Sequence, residues 1–168
     1  CLKGNGPEDI MEVVYHLGKS ALEIGEIQDA DIKLRSSINN GSAFEKFISM
    51  VEAHGGNLKD IDKNDIHRPR FSKRIISEYD GFIERMNTLK LGEAVVHIGG
   101  GRKSIKDTID YSSGIKFYKK TGDKVFKGDA IAEVFCSNEK KCDVGFLMVL
   151  NSISIEDTKP KLLNLIHS

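Results

Sequence analysis

The stretch from Leu91 to Val134 constrains this chain more than any other. An apolar run through Ile98 breaks on three consecutive glycines, Gly99, Gly100 and Gly101, and on Arg102. An Asp107-Thr108-Ile109-Asp110-Tyr111 segment follows, and then two Gly-Asp turns at Gly122-Asp123 and Gly128-Asp129. Glycines placed this way punctuate rather than fill elements, because they supply conformations that other residues adopt only with strain. The pattern predicts a helix that stops at the triplet, then short strands joined by tight turns.

The flanking segments extend that reading. Gly6-Pro7-Glu8-Asp9 opens a helix with proline near its first position and two acids in its first turn, where the macrodipole favours them. Ile10, Val13, Val14, Leu17, Ala21, Leu22 and Ile24 then recur at helical spacing until Gly25. A second helix is expected over 30–38, ending at Asn39-Asn40-Gly41. Ser42 is expected to cap a third that Gly55-Gly56 terminates. These helices carry more apolar face than they can bury on one another.

Residues 57–71 have no apolar period and read as a linker. Beyond them 72–78 and 82–86 read as two strands returning through Asp80-Gly81. Thr88 is expected to cap the helix that ends at the triplet. Short strands follow at 115–118, 124–126 and 130–135, then a helix from Ser137-Asn138-Glu139 to about Leu150, and a last strand at 162–166. The fold class is α+β, with residues 1–56 helical and 72–168 a compact domain of short strands and helices.

Composition excludes several functions. The 168 residues carry 25 basic and 25 acidic side chains, so no basic excess exists to hold a phosphate backbone, and no nucleic-acid partner is expected. No apolar run approaches the ~18 residues of a membrane span, and no signal peptide is legible. Cys1, Cys136 and Cys142 are an odd set without metal spacing and read as reduced thiols of a cytoplasmic protein. His16, His54, His97 and His167 are scattered likewise.

The sharpest chemical candidate is the Gly99–Arg102 loop. Three glycines let backbone N–H groups approach an anion, and Arg102 adds a planar cationic fork. It is neither a dinucleotide fingerprint nor a P-loop. The competing structural reading is a helix terminus with a tight crossing, Arg102 pairing to Asp107 or Asp110. In a strand those two carboxylates point to opposite faces, so they are expected to hold the loop through side-chain to backbone bonds rather than to cooperate in acid–base work. The basic cluster from His67 to Arg74 reads as a solvated face. The Gly122–Asp129 turn pair also has a counterpart in lipoyl and biotinyl carrier domains, with Lys140 or Lys141 near the carrier position. A helix beyond 143, where a carrier has the second strand of its hairpin, argues against that role.

Leu2-Lys3-Gly4-Asn5-Gly6-Pro7, the Phe44 to Gly56 helix with its closing glycines, Asp80-Gly81-Phe82 and above all Leu91 to Gly114 together resemble the pyrimidine-nucleoside phosphorylases, the thymidine phosphorylase family. The resemblance covers nearly the whole chain and fades after Lys141. It implies that residues 1–56 are the helical tail of a large α/β domain and 72–168 a barrel-sandwich or hammerhead-like C-terminal domain. It implies an enzyme that cleaves pyrimidine nucleosides with inorganic phosphate as co-substrate, without a further cofactor, as a homodimer. The family's Lys-x-Ser-x-Thr phosphate loop and its base-binding Arg/Ser/Lys set have no counterpart in these residues. The expectation is therefore a C-terminal fragment without catalytic residues of its own, the rest of the protein lying N-terminal to Cys1. In it, Gly99, Gly100, Gly101 and Arg102 are the only candidates to face substrate. The alternative is a freestanding anion-binding or adaptor module.

Overall fold

The computed structural model describes residues 1–58 and 68–166. They fall into two compact units, 1–58 with 163–166 and 68–162. Most of the expected 57–71 linker lies outside the described residues.

The first unit is helical. α1 spans Glu8–Ile24, α2 Ala30–Asn39 and α3 Ser42–Ala53. Pro7 holds the position before α1, and Glu8 and Asp9 lie in its first turn. Gly18 brings α1 against α2: a Cβ there would sit 2.7 Å from Leu34 Cδ2. The Arg35 guanidinium lies 4.1 Å from the Tyr15 ring centroid and bonds Asp31 at 2.8 Å. Ser42 is not the cap of α3. Gly41 takes that position at φ +82°, and the Asn40 side-chain oxygen accepts from the Ser42 N–H. A left-handed residue is needed to turn directly from α2 into α3, and glycine supplies it without a Cβ clash. α3 closes on Gly55, with the N–H groups of Gly55 and Gly56 returning to Glu52 and Val51. The apolar surplus expected of these helices is present. α1 buries no residue, and Leu17 and Ile24 remain 62% and 85% exposed.

The second unit carries the main core. Its elements are β1 Phe71–Ile76, β2 Gly81–Met86, α4 Thr88–Ile98, β3 Gly114–Phe117, β4 Lys124–Val125, β5 Ala130–Cys136, α5 Glu139–Leu150 and β6 Ile153–Glu156. They build two three-stranded antiparallel sheets, ordered β1-β5-β3 and β4-β2-β6. Ile75, Ile83, Ala94, Ile98, Val125, Val134 and Val149 pack into one buried cluster drawn from both sheets and both helices.

Three expectations fail here. β1 and β2 do not form a hairpin but belong to different sheets. Buried Ser77 exchanges backbone bonds with the second Gly-Asp turn, its N–H to Asp129 O and its carbonyl from Gly128 N–H, and so redirects the chain. Thr88 does not cap α4; the Asn87 side chain does, accepting from Lys90 N–H. No strand forms over 162–166. The closing strand is β6, whose Ile153-Ser-Ile-Glu alternation pairs with β2. Lys140 and Lys141 lie in the first turn of α5, capped by Asn138, rather than on a carrier-type hairpin.

Candidate functional site

α4 ends because its sequence runs into Gly99, which stands at φ +108°. The Gly99 N–H returns to Val96 O at 3.2 Å and the Gly100 N–H to Val95 O at 2.9 Å, the paired bonds of a Schellman terminus. Those two N–H groups are thereby consumed. Gly100 and Gly101 are small for another reason: a Cβ on either would come within 2.8 Å of the Val95 or Val96 side chain. The triplet presses the departing chain back onto its own helix.

From Arg102 to Ser113 the chain is a loop without strand geometry. Asp107 holds its first part by accepting from the N–H groups of Lys103 and Ser104, both at 2.9 Å. Asp110 is the hub of the rest. Its N–H donates to Gly99 O at 2.8 Å. One carboxylate oxygen accepts from Ser112 N–H and Oγ, the other from Ser137 N–H and Oγ. The end of α4, the entry to β3 and the entry to α5 are thus tied at one side chain. Partial burial alone would raise the Asp110 pKa, but the hydrogen bonds from Ser112 and Ser137 outweigh it and hold the carboxyl at about 2. Arg102 pairs with neither aspartate. It is exposed and forms no ion pair among the described residues, while Asp107 takes backbone donors and Asp110 backbone and serine donors.

Ser137 was not legible as part of this cluster, since it lies 27 residues from Asp110 along the chain. Asp107 was, because a short Asp side chain readily bonds backbone groups three or four residues away in a turn-rich segment.

Beside the loop runs an open groove of about 680 Å³ on the outer side of α4, lined by Leu89, Gly92, Glu93, Val96, His97, Lys103 and Met148, with Thr88 at its end. Desolvation lowers the His97 pKa, helped by the charges of Lys103 and Lys141.

Other candidate groups are quiet. Cys136 and Cys142 are fully buried side by side, and burial together with the Cys136 neighbour pushes the Cys142 thiol up to about 11. Such a thiol is a poor nucleophile at neutral pH. In the basic cluster, Lys73 pairs with Asp143 and Arg74 with Glu133; His67 lies outside the described residues. So does His167. Among the described residues no His, Cys, Asp and Glu group assembles with metal-ligand geometry.

Residues 82–156 match the model of the pyrimidine nucleoside phosphorylase C-terminal domain. That domain places residues 82–156 in the pyrimidine-nucleoside phosphorylase family. The matched stretch starts inside β2 and ends with β6, so it holds the glycine triplet, the Asp110 hub and the groove. Curated relatives extend the similarity. A pyrimidine-nucleoside phosphorylase of Staphylococcus epidermidis is 32% identical over 99% of the chain and 39% of its own length. One of Bacillus subtilis is 30% identical over 97% of the chain and 39% of its own length. A thymidine phosphorylase of Metamycoplasma hominis is 29% identical over 81% of the chain and 52% of its own length. The chain thus spans 39–52% of these phosphorylases.

Proposed function

We propose that this chain serves as the C-terminal portion of a pyrimidine-nucleoside phosphorylase, a pentosyltransferase. The reaction cleaves a pyrimidine (deoxy)nucleoside with inorganic phosphate, giving free base and (deoxy)ribose 1-phosphate. The observation that carries this reading is the similarity over 97–99% of the chain to phosphorylases of which it spans 39%. In this reading the groups that contact base and phosphate lie in the part of those relatives that the chain does not span. The complete enzyme is a cytoplasmic homodimer that needs phosphate as co-substrate and no other cofactor. Residues 1–56 are then the helical tail of the large domain and 72–168 its C-terminal domain.

The chemistry of the described residues supports the division. Asp110 is fully engaged by donors, and Cys142 is held far from its thiolate. In the Gly99–Arg102 loop the Gly99 and Gly100 N–H groups already bond the helix, and the exposed Arg102 side chain is the cationic group left to face an anion. That free guanidinium is also the one observation favouring an anion-binding module. The two readings separate in an assay of phosphate-dependent release of thymine or uracil by the purified 168-residue protein. No release is expected. Release that a point change inside the chain abolishes would overturn the proposal.

A further inference from the structure

Glycine after asparagine leaves the asparagine side chain unobstructed against the next backbone nitrogen, because no Cβ stands in the way. The chain carries this dipeptide twice, at Asn5-Gly6 and at Asn40-Gly41, and both asparagines are exposed. By sequence the two are alike. Their surroundings differ.

Asn40 is tied into the turn between α2 and α3. It follows α2 at φ −89° and ψ −2°, and its own N–H returns to Ser36 O at 2.9 Å. Its side-chain oxygen accepts from Ser42 N–H at 3.0 Å. The Gly41 N–H donates to Ile38 O at 3.2 Å, and Gly41 stands at φ +82° as the residue that opens α3. To bring the Gly41 nitrogen onto the Asn40 side-chain carbon, these bonds must break and the link between two helices must rotate. Asn5 carries no such restraint. Among the described residues no hydrogen bond holds its side chain or the Gly6 N–H. The turn before it, Gly4 N–H to Cys1 O at 2.9 Å, closes one residue too early, and α1 begins only at Glu8.

We infer that Asn5 is a site of spontaneous covalent modification, deamidation through a cyclic imide, and that the α2–α3 turn shields the same dipeptide at Asn40. The Gly6 nitrogen gives up its proton to hydroxide and bonds the Asn5 side-chain carbonyl carbon. The carbon–nitrogen bond of the side-chain amide breaks, and that nitrogen takes up a proton and leaves as ammonia. Water then opens either carbonyl of the imide, giving aspartate or isoaspartate. No oxidant or reductant takes part. Aspartate adds a third acid near the start of α1, beside Glu8 and Asp9, where the helix end is positive. Isoaspartate lengthens the backbone by a methylene group between the Gly4 turn and Pro7. It therefore displaces Gly6, which is packed so closely that a Cβ would stand 2.8 Å from the sulfur atoms of Cys1 and Met11. The site stands whether or not the phosphorylase reading holds.

The test is incubation of the whole 168-residue protein in mildly alkaline buffer, with and without urea. Peptide mapping by mass spectrometry and enzymatic methylation of isoaspartate then locate the product. In the folded protein the Asn5 peptide is expected to convert at least about tenfold faster than the Asn40 peptide, because the Asn40 rate follows the small population in which its turn is open. In urea the two rates should converge. Asn5→Gln should remove the early acidic species from the ion-exchange profile of the folded protein. Equal rates at Asn5 and Asn40 in the folded protein would overturn the inference. So would an Asn5 that reacts only in urea, or an acidic species undiminished in Asn5→Gln.

Discussion

Asp110 does more than any other single side chain in the second unit to fix the loop that follows α4. Four donors from two serines converge on its carboxylate. Its folded pKa of about 2 lies below the ordinary 3.8, so its stabilisation is fully present above pH 3.8. It is lost as pH falls from there toward 2. Asp110→Asn keeps the shape but loses the charge and inverts part of the donor–acceptor pattern. It should lower stability at neutral pH by about 1–3 kcal/mol. It should also flatten the acid limb of the stability curve. Urea unfolding at neutral pH and through the acid range measures both. Arg102 is the opposite case. With no partner in the described structure, Arg102→Ala should change stability by less than about 1 kcal/mol. In the same unfolding experiment a larger loss would reveal a partner that the structure does not show.

Elements in the second unit meet at glycines, each for its own physical reason. At Gly99 the backbone is left-handed, so Gly99→Ala should cost about 1–2 kcal/mol from the backbone alone. At Gly145, inside α5, the backbone is ordinary, but a Cβ would stand 2.3 Å from Ile98 Cγ2 of α4. Gly145→Ala improves helix propensity and should still destabilise, by about 1–3 kcal/mol, because the two helices must separate. Thermal unfolding of the pair checks this, and an unchanged or raised Tm for Gly145→Ala would mean that α4 and α5 are not packed as described. The sequence showed the helices and most strands, because periodicity and glycine breaks are local signals. It did not show which strands pair. Asp80-Gly81 looks like a hairpin turn, yet Ser77 bonds the turn at 128–129 and sends β2 into the other sheet. Cap positions missed by one residue for a similar reason. Asn87 and Thr88 are both competent caps, and only the approach of the chain, with Asn87 N–H on Ser152 O, decides between them.

At the scale of the molecule the two units differ in how much they bury. Among the described residues of the helical unit, Ala30 and Ile38 are the buried apolar side chains, whereas the second unit encloses a core from all of its larger elements. Native-state hydrogen exchange should therefore find α1 and α3 far less protected than β5, α4 and α5. Uniform protection in a monomer would contradict that. The candidate site was legible in part. The glycine triplet and Asp107 announce themselves locally, while the Ser137 contact and the groove at Gly92 depend on packing between α4, α5 and the loop. Whether the chain can serve as one portion of a pyrimidine-nucleoside phosphorylase is decided by substitution. The chain would replace the matching C-terminal stretch of the Bacillus subtilis relative, and the chimera would be assayed for phosphate-dependent release of uracil or thymine. Release is expected, and it should be lost when the chain's portion is removed. A chimera that folds as stably as its parent and releases no base would contradict that role.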